Sequence, residues 1–300
     1  MFDTDPPYRG RFAPSPTGPL HLGSLIAALA SFLDARSHHG AWLVRMEDLD
    51  PPREEPGAAQ RILHSLQRHG LHWDEEVLWQ SRRGAAYAGA LQQLAVGNHL
   101  FQCDCTRQML GLNGCCCRDC QRHQSRITGP AAIRLVVPRD CRVRFSDRVQ
   151  GRQDIALGQE LANFIVKRKD GLDAYQLAVV VDDAWQGVNQ VVRGSDLLDS
   201  TARQIFLQSL LAYPTPCYSH LPVITDDSGQ KYSKQNHAPP LDDNLAPANL
   251  RTALRFLQQI EPPAELGEVN QILAFAIGEW AMRKIPATLS LTAACISGGS

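Results

Sequence analysis

The stretch RFAPSPTGPLHLGS, residues 11–24, constrains the fold of this chain more than any other part of it. It follows a β-like run at residues 8–12 and precedes the apolar run LIAALASFLDA, which the spacing predicts to be a helix with Ser24 as its N-cap. Three prolines make the connection rigid. Backbone N–H groups at such a helix start suit a phosphate group, and an ordinary strand-to-helix loop is the alternative.

The next segments continue the alternation of strand and helix. Residues 41–46, AWLVRM, are predicted to form a buried strand, and helices are predicted over residues 57–70 and 85–96. This order indicates an α/β protein with a parallel, doubly wound sheet. Glu47 directly follows the strand, and ligands gather at the carboxyl ends of parallel strands. We therefore expect Glu47 in the same crevice as the first loop, with a solvated acidic turn as the alternative.

Composition limits the class of protein. The chain has 300 residues, of which 44% are hydrophobic and 20% charged, as in ordinary globular proteins. Its N-terminus lacks the features of a signal peptide, and no apolar run approaches membrane-spanning length. We expect a soluble, cytoplasmic protein with no membrane partner.

Positive charge is concentrated in the middle of the chain. Residues 99–170 hold 13 Lys and Arg against 7 Asp and Glu, although the whole chain has a net charge of −1. Such a segment is compatible with a surface that meets the phosphates of RNA. A solvated arginine-rich face without a partner is the alternative.

Six of the nine cysteines lie between residues 103 and 120. A C-x-C pair followed by a second group about a dozen residues later suits a structural zinc ion held by four thiolates. Cys103, Cys105 and Cys120 are the expected ligands, and the fourth is Cys116 or Cys117, with Cys116 as our assignment. Such an ion would hold together a loop too irregular to fold alone. Free thiols, some of them redox-active, are the alternative.

The segment FIVKRKDGLDAYQLAVVVDDAWQGVNQVVRGSDLL is predicted to form three strands. Near the element ends lie four polar residues that could grip a small polar substrate: Tyr175, Asp182, Asp183 and Arg193. Further helices are predicted over residues 200–211, 246–260 and 268–283, and the tail after residue 286 is predicted to be frayed.

A cationic loop follows the strand-like run HLPVIT. Its sequence, DDSGQKYSKQNHAPPL, contains Lys231, Ser233 and Lys234. Lysines beside a glycine suit a polyphosphate that gains charge in a transition state. A solvated lysine loop is the alternative.

Together, the two loops resemble the ATP-binding signatures of class I aminoacyl-tRNA synthetases. The first signature, HIGH, corresponds to residues 21–24, and the second, KMSKS, to residues 231–235. RFAPSPTG, RMEDLD and YQLAVVVDD…VVRGSDLL are similar to the glutamyl-tRNA synthetases, so the resemblance covers residues 9 to about 237. It implies a nucleotide-binding domain with a Rossmann-like parallel sheet, and this domain would be split into two halves, residues 1–98 and 196–237. Between the halves, residues 99–195 would form an inserted zinc-containing α+β domain that meets RNA. Residues 238–300 would form a short C-terminal helical region.

The resemblance also implies site residues. Glutamate would be bound by Arg11, Phe12, Ala13, Pro14, Ser15, Glu47, Tyr175 and Arg193. ATP, with Mg²⁺, would be bound by His21, Gly23, Ser24, Lys231, Ser233 and Lys234. Arg11 would pair with a substrate carboxylate and Glu47 with the ammonium group. His21 and Lys234 would be the catalytic residues, stabilising the phosphates while the glutamate α-carboxylate attacks the α-phosphorus, with no covalent protein intermediate.

The C-terminal part departs from the glutamyl-tRNA synthetases. Only 66 residues follow Lys234, too few for their anticodon-binding region, and the form KQNHAP resembles their shortened paralogues, the glutamyl-Q tRNA(Asp) synthetases. That resemblance implies activation of glutamate without tRNA and transfer to the queuosine base in the anticodon of tRNA(Asp), with no obligate protein partner. A compact glutamyl-tRNA synthetase that charges a tRNA 3′ end and an inactive RNA-binding relic are the alternatives.

Overall fold

The computed structural model describes residues 6–110, 119–161, 163–226 and 239–293. Within these ranges the helices are α1 (Leu22–Ser37), α2 (Ala58–Arg68), α3 (Gly84–Val96), α4 (Asp119–Arg122), α5 (Leu157–Glu160), α6 (Tyr175–Trp185), α7 (Leu198–Leu211), α8 (Ala246–Phe256) and α9 (Val269–Gly278). The strands are β1 (Arg9–Phe12), β2 (Ala41–Met46), β3 (Leu78–Trp79), β4 (Leu100–Cys103), β5 (Ala132–Leu135), β6 (Val143–Asp147), β7 (Gly151–Ile155), β8 (Ile165–Lys167), β9 (Gln190–Gly194), β10 (Cys217–Leu221), β11 (Val223–Thr225) and β12 (Ser290–Thr292).

Two sets of parallel strands lie side by side. One set has the order β3-β2-β1, and the other has β9-β10-β6, with β7 antiparallel at its edge. Asn189 joins them: its backbone N–H donates to the carbonyl of Arg9 (3.1 Å), and its Oδ1 accepts from the N–H of Arg9 (2.8 Å). The predicted α/β class with a parallel sheet is confirmed. A separate antiparallel sheet, β4-β5-β8, lies within the predicted inserted segment.

Two apolar cores stabilise this arrangement. The larger core brings α1 together with β1, β2, α2, α8 and α9, and α1 contributes Leu25, Leu29 and Leu33, which are fully buried. The second core brings α3, α6 and α7 against β5, β6 and β8. The two cores cover strands of both parallel sets. The predicted domain limits after residues 98, 195 and 237 stay predictions.

The prediction of three strands in residues 164–198 is wrong at its middle element. The run YQLAVVVDDAW forms helix α6 between β8 and β9. Residues 177–183 are buried without interruption. A short, continuously apolar run carries no period that separates a strand from a buried helix, so burial against α3 and α7 overrides the strand preference of the valines.

The described part of the C-terminal tail, up to residue 293, is also more ordered than predicted. Strand β12 pairs in parallel with β11, and the N–H of Val223 donates to the carbonyl of Leu289 (3.0 Å). The predicted helices over residues 246–260 and 268–283 are confirmed as α8 and α9, although both end earlier. No helix in the described part of the chain has the length and apolar character needed to cross a membrane.

Candidate active site

A cleft of about 460 Å³ opens where strands β1, β2, β9 and β10 end. It lies where the strand order changes direction between β1 and β9, the usual ligand position in open α/β sheets. All the described residues that the resemblance assigns to glutamate or ATP line it: Arg11, Phe12, Ala13, Pro14, Ser15, His21, Gly23, Ser24, Glu47, Tyr175 and Arg193. The predicted ATP-binding residues Lys231, Ser233 and Lys234 lie outside the described residues.

Helix α1 begins at the cleft, and His21 is its N-cap. The Nδ1 atom of His21 accepts a hydrogen bond from the Ser24 backbone N–H (3.3 Å), while its Nε2 lies 3.1 Å from the Ser24 hydroxyl. The prediction that Ser24 would be the N-cap is therefore wrong. The imidazole accepts the hydrogen bond that a capping hydroxyl would accept, so the helix starts earlier, at Leu22.

Gly23 lets the His21 ring lie against the first turn of α1. A Cβ atom at this position would lie 3.2 Å from the Nδ1 and Cε1 atoms of His21 and 3.3 Å from Cγ2 of Ile224. These distances are shorter than ordinary carbon contacts, so a side chain would displace the ring. The first turn of α1 and the imidazole line the same cleft, and a helix start of this kind suits an anionic group.

Elsewhere at the cleft, Arg11 and the neighbouring Arg45 share one carboxylate. Asp183 Oδ1 accepts from Nε of Arg11 (3.1 Å) and from Nη1 of Arg45 (2.7 Å). All three side chains are almost completely buried. Burial alone would raise the pKa of Asp183, but the two guanidinium groups outweigh it and hold that pKa below its usual value. Asp183 therefore stays ionised and fixes the direction of Arg11.

Glu47 presents a second carboxylate to the cleft. Its Oε1 lies 3.5 Å from Nη2 of Arg45, and its backbone N–H donates to the carbonyl of Pro14 (2.9 Å). Within the described residues this carboxylate accepts no hydrogen bond. Burial raises the pKa of Glu47, while the charges of Arg45 and Arg11 act in the opposite direction. A largely buried carboxylate with free acceptor capacity suits a cationic group of a ligand.

Arg193 contributes a buried positive charge at 5% exposure. Its hydrogen bonds go to neutral groups: the Tyr175 hydroxyl (3.4 Å), Thr201 Oγ1 (2.7 Å), Gln204 Oε1 (2.8 Å), the Leu197 carbonyl (3.5 Å) and His220 Nε2 (3.1 Å). Within the described part of the chain no carboxylate pairs with it. The arrangement holds the guanidinium in place without neutralising its charge, so the cleft attracts an anion.

The other residues predicted to grip a substrate have a different role. Asp182 accepts from Gln80 (2.9 Å), Arg83 (3.0 Å) and Tyr87 (2.7 Å), and neither Asp182 nor Asp183 lines the cleft. Sequence reasoning missed Thr201, Gln204 and His220. These residues lie on α7 and β10, and no local pattern sets them apart.

The described residues that flank the lysine loop also lie at the cleft. Before the loop, Val223 and Ile224 line it. After the loop, Pro240 forms a β-bridge with His21, and the N–H of Leu241 donates to the carbonyl of Leu20 (2.9 Å). Both described ends of the chain around residues 227–238 are thus adjacent to the N-terminus of α1.

Three cysteines cluster away from the cleft. The sulfur atoms of Cys103, Cys105 and Cys120 all lie within 4.8 Å of one another, and the sulfurs of Cys105 and Cys120 are 3.3 Å apart. Three soft ligands at this spacing fit a tetrahedral thiolate site. Cys116 and Cys117, the candidates for the fourth ligand, lie outside the described residues.

Comparison of the sequence with known proteins gives a consistent result. Residues 8–245 match the family described as tRNA synthetases class I (E and Q), catalytic domain. The chain is 49% identical over 300 residues to a glutamyl-Q tRNA(Asp) synthetase of Pseudomonas fluorescens, covering 98% of this chain and 99% of that protein. A protein of the same name from Pseudomonas putida is 50% identical over 279 residues, covering 92% of each chain.

Solved structures agree on the fold. A glutamate-tRNA synthetase from Elizabethkingia anophelis superposes with a TM-score of 0.78 at 22% identity, covering 97% of this chain and 69% of that chain. A glutamate tRNA ligase from Elizabethkingia meningosepticum gives a TM-score of 0.77, also at 22% identity, with 97% and 68% covered. At this level of identity the likeness concerns the fold.

Proposed function

Because the chain belongs to the glutamyl-Q tRNA(Asp) synthetases, within the class I tRNA synthetase family for glutamate and glutamine, we propose that its cleft carries out their two-step ligase reaction. Glutamate is first activated by ATP without tRNA. The glutamyl group is then transferred to the queuosine base in the anticodon of tRNA(Asp). We propose that the reaction takes place in the cytoplasm, where these substrates occur.

The observation that carries this proposal is the pairing of opposite charges at one end of the cleft. Arg193 is a buried cation without a carboxylate partner in the described residues, and Glu47 is a largely buried carboxylate with unused acceptor capacity. Glutamate carries two carboxylates and one ammonium group, so it complements this set. Arg11 and Arg193 would receive carboxylates, Tyr175 would support Arg193, and Glu47 would receive the ammonium group.

In the first step an α-carboxylate oxygen of glutamate attacks the α-phosphorus of ATP. A new P–O bond forms as the bond to the leaving pyrophosphate breaks, which gives glutamyl adenylate. The protein contributes alignment and charge stabilisation. In the second step the queuosine base attacks the activated carbonyl carbon, and AMP leaves.

The nucleotide would lie at the other end of the cleft. His21 and the N-terminal turn of α1 would contact the phosphates of ATP, with its Mg²⁺, and Gly23 and Ser24 belong to the same turn. Lys231, Ser233 and Lys234 are proposed to join them because of the second signature. The position of Pro240 beside His21 supports this, since it brings one described end of the lysine loop to the phosphate end.

We propose that the cysteine cluster holds one structural zinc ion. Cys103, Cys105 and Cys120 would supply three thiolates, and Cys116 is our proposed fourth ligand. Bound zinc would cross-link the segment between β4 and α4. This segment belongs to the basic middle of the chain, which we propose meets the phosphates of tRNA.

Two assays test the function. Glutamate-dependent exchange of pyrophosphate into ATP, without RNA, should proceed in the unmodified protein, and Arg193→Ala should lower it about a hundredfold or more at low glutamate because a substrate carboxylate is left unpaired. Labelled glutamate should then appear on tRNA(Asp) that carries queuosine and not on tRNA(Asp) that lacks it. Absence of exchange, or labelling of tRNA(Glu) instead, would contradict the proposal.

A further inference from the structure

A buried histidine lies behind the glutamate end of the cleft, by which we mean the part lined by Arg11, Glu47, Tyr175 and Arg193. His220, on β10, has no exposed surface and does not line the cleft. Its ring lies between two charged groups: Nδ1 is 2.6 Å from Oδ2 of Asp147, and Nε2 accepts from Nε of Arg193 at 3.1 Å. Thr201 Oγ1 lies 3.0 Å from the same Nε2.

The neighbours of Asp147 decide where the imidazole proton lies. Its Oδ1 accepts from three backbone N–H groups, those of Val149 (2.9 Å), Gln150 (2.8 Å) and His220 (3.1 Å). Its Oδ2 is left for Nδ1 of His220. A carboxylate can only accept, so the ring proton lies on Nδ1 and Nε2 carries a lone pair. Burial and the charge of Arg193 lower the pKa of His220 against the effect of Asp147, which keeps the ring neutral.

Because His220 is a neutral acceptor, it orients Arg193 without neutralising the charge of the guanidinium group. The Nε atom of Arg193 is held by His220, and Nη2 is held by Thr201 and Gln204. The remaining nitrogen, Nη1, lies at the Tyr175 hydroxyl (3.4 Å), which also lines the cleft. Arg11 differs, because its Nε is bound by the carboxylate of Asp183. Arg193 is thus oriented by uncharged groups and keeps its full charge for a ligand.

We propose that Asp147 and His220 are positioning residues for glutamate binding: Asp147 fixes the histidine tautomer, and His220 in turn fixes the direction of Arg193. This inference rests on the proposed function, since it takes Arg193 as a group that binds a substrate carboxylate. It predicts an effect on the use of glutamate with little effect on the use of ATP, whose phosphates would lie at the other end of the cleft.

A matched pair of variants separates this role from packing. His220→Gln places an amide oxygen near the position of Nε2 and keeps an acceptor for Arg193. His220→Asn places its amide near Nδ1, keeps the contact to Asp147 and removes the acceptor. In the pyrophosphate exchange assay we expect His220→Asn to raise the KM for glutamate about tenfold or more above that of His220→Gln, with similar KM values for ATP.

Asp147→Asn tests the other end of the chain of contacts and keeps the inference testable if the histidine variants do not fold. The three backbone donors should hold the amide oxygen, so the NH₂ group would face Nδ1 of His220. Nδ1 would then have to accept, and the ring proton would move to Nε2. There it would face the Nε–H of Arg193, which would lose its acceptor. We expect a KM for glutamate raised about tenfold, an unchanged KM for ATP and an unchanged melting profile within a few degrees.

The outcomes separate the possibilities. Equal KM values for glutamate in the two histidine variants, or an unchanged value in Asp147→Asn, would overturn the inference. Equal increases in KM for glutamate and ATP in all three variants would also overturn it, because they would indicate a general structural role. Absence of exchange in the unmodified protein would instead remove the proposed function and this inference with it.

Discussion

The glutamate end of the cleft and the cysteine cluster order their polar groups by different means. At the cleft, Arg11, Arg45 and Asp183 come from three elements, are almost completely buried and compensate one another's charges. Around the cysteines the buried apolar cluster consists, among the described residues, of Phe101, Cys103 and Cys120. The cleft can therefore be held by packing and charge pairing, whereas the small cluster needs a further source of stability, which the proposed zinc ion would supply.

The largest expected effect concerns the cysteine cluster. Replacing Cys103 and Cys105 together by serine should remove about one equivalent of zinc per chain, with an apparent loss of binding energy on the order of 10 kcal/mol. Metal analysis would measure the zinc, and hydrogen exchange in β4 and β5 would show local opening. Pyrophosphate exchange should change by less than about threefold, since neither cysteine lines the cleft. Finding no zinc in the unmodified protein would contradict the metal site.

The second effect concerns charge pairing at the cleft. Asp183→Ala leaves Arg11 and Arg45 buried without their shared carboxylate, which should lower the free energy of unfolding by about 3–5 kcal/mol. Denaturant titration measures this loss. Asp183→Asn is the control, because it keeps an acceptor oxygen and should lose less. If the alanine variant were as stable as the unmodified protein, the cleft would not depend on charge compensation.

A third effect depends on pH. The pKa of Glu47 is raised by burial, so the carboxyl becomes neutral at a higher pH than an ordinary glutamate does. Below that pKa it no longer attracts an ammonium group, and the KM for glutamate should rise as the pH falls through it. Glu47→Gln should raise this KM about tenfold at neutral pH and remove that part of the pH dependence. An identical pH profile in the variant would show that another group titrates.

The smallest effect concerns the phosphate end. Gly23→Ala would place a Cβ atom 3.2 Å from the His21 ring and displace it, at a cost of about 1 kcal/mol, which should raise the KM for ATP about fivefold. Gly89→Ala is the control. Gly89 lies within α3, and a Cβ atom at this position would meet no other atom within 4 Å. This variant should raise the free energy of unfolding by about 0.5–1 kcal/mol without altering exchange. If Gly23→Ala and the unmodified protein had equal KM values for ATP, the His21 ring would have room to move.

Much of the cleft could be predicted from the sequence because several of its residues belong to short, recognisable segments. Arg11 and His21 lie on either side of one loop, and Glu47 directly follows a recognisable strand. Parallel strands bring their carboxyl ends to one edge, so these residues were expected to meet, and they line the same cleft. Helix α6 could not be predicted, because its run of valines fits a buried strand equally well until the packing of α3 and α7 is known.

The sequence by itself determined the alternation of strands and helices in the first hundred residues, the loop at the start of α1 and the grouping of the cysteines, since each depends on residues close together along the chain. The tertiary structure alone decided which charges compensate one another. Asp183 is 172 positions from Arg11, and Asp147 is 73 positions from His220, yet each pair is hydrogen-bonded. The sequence does not indicate which partner a carboxylate will have. The strength of an ion pair depends on distance and burial, and both are properties of the folded chain.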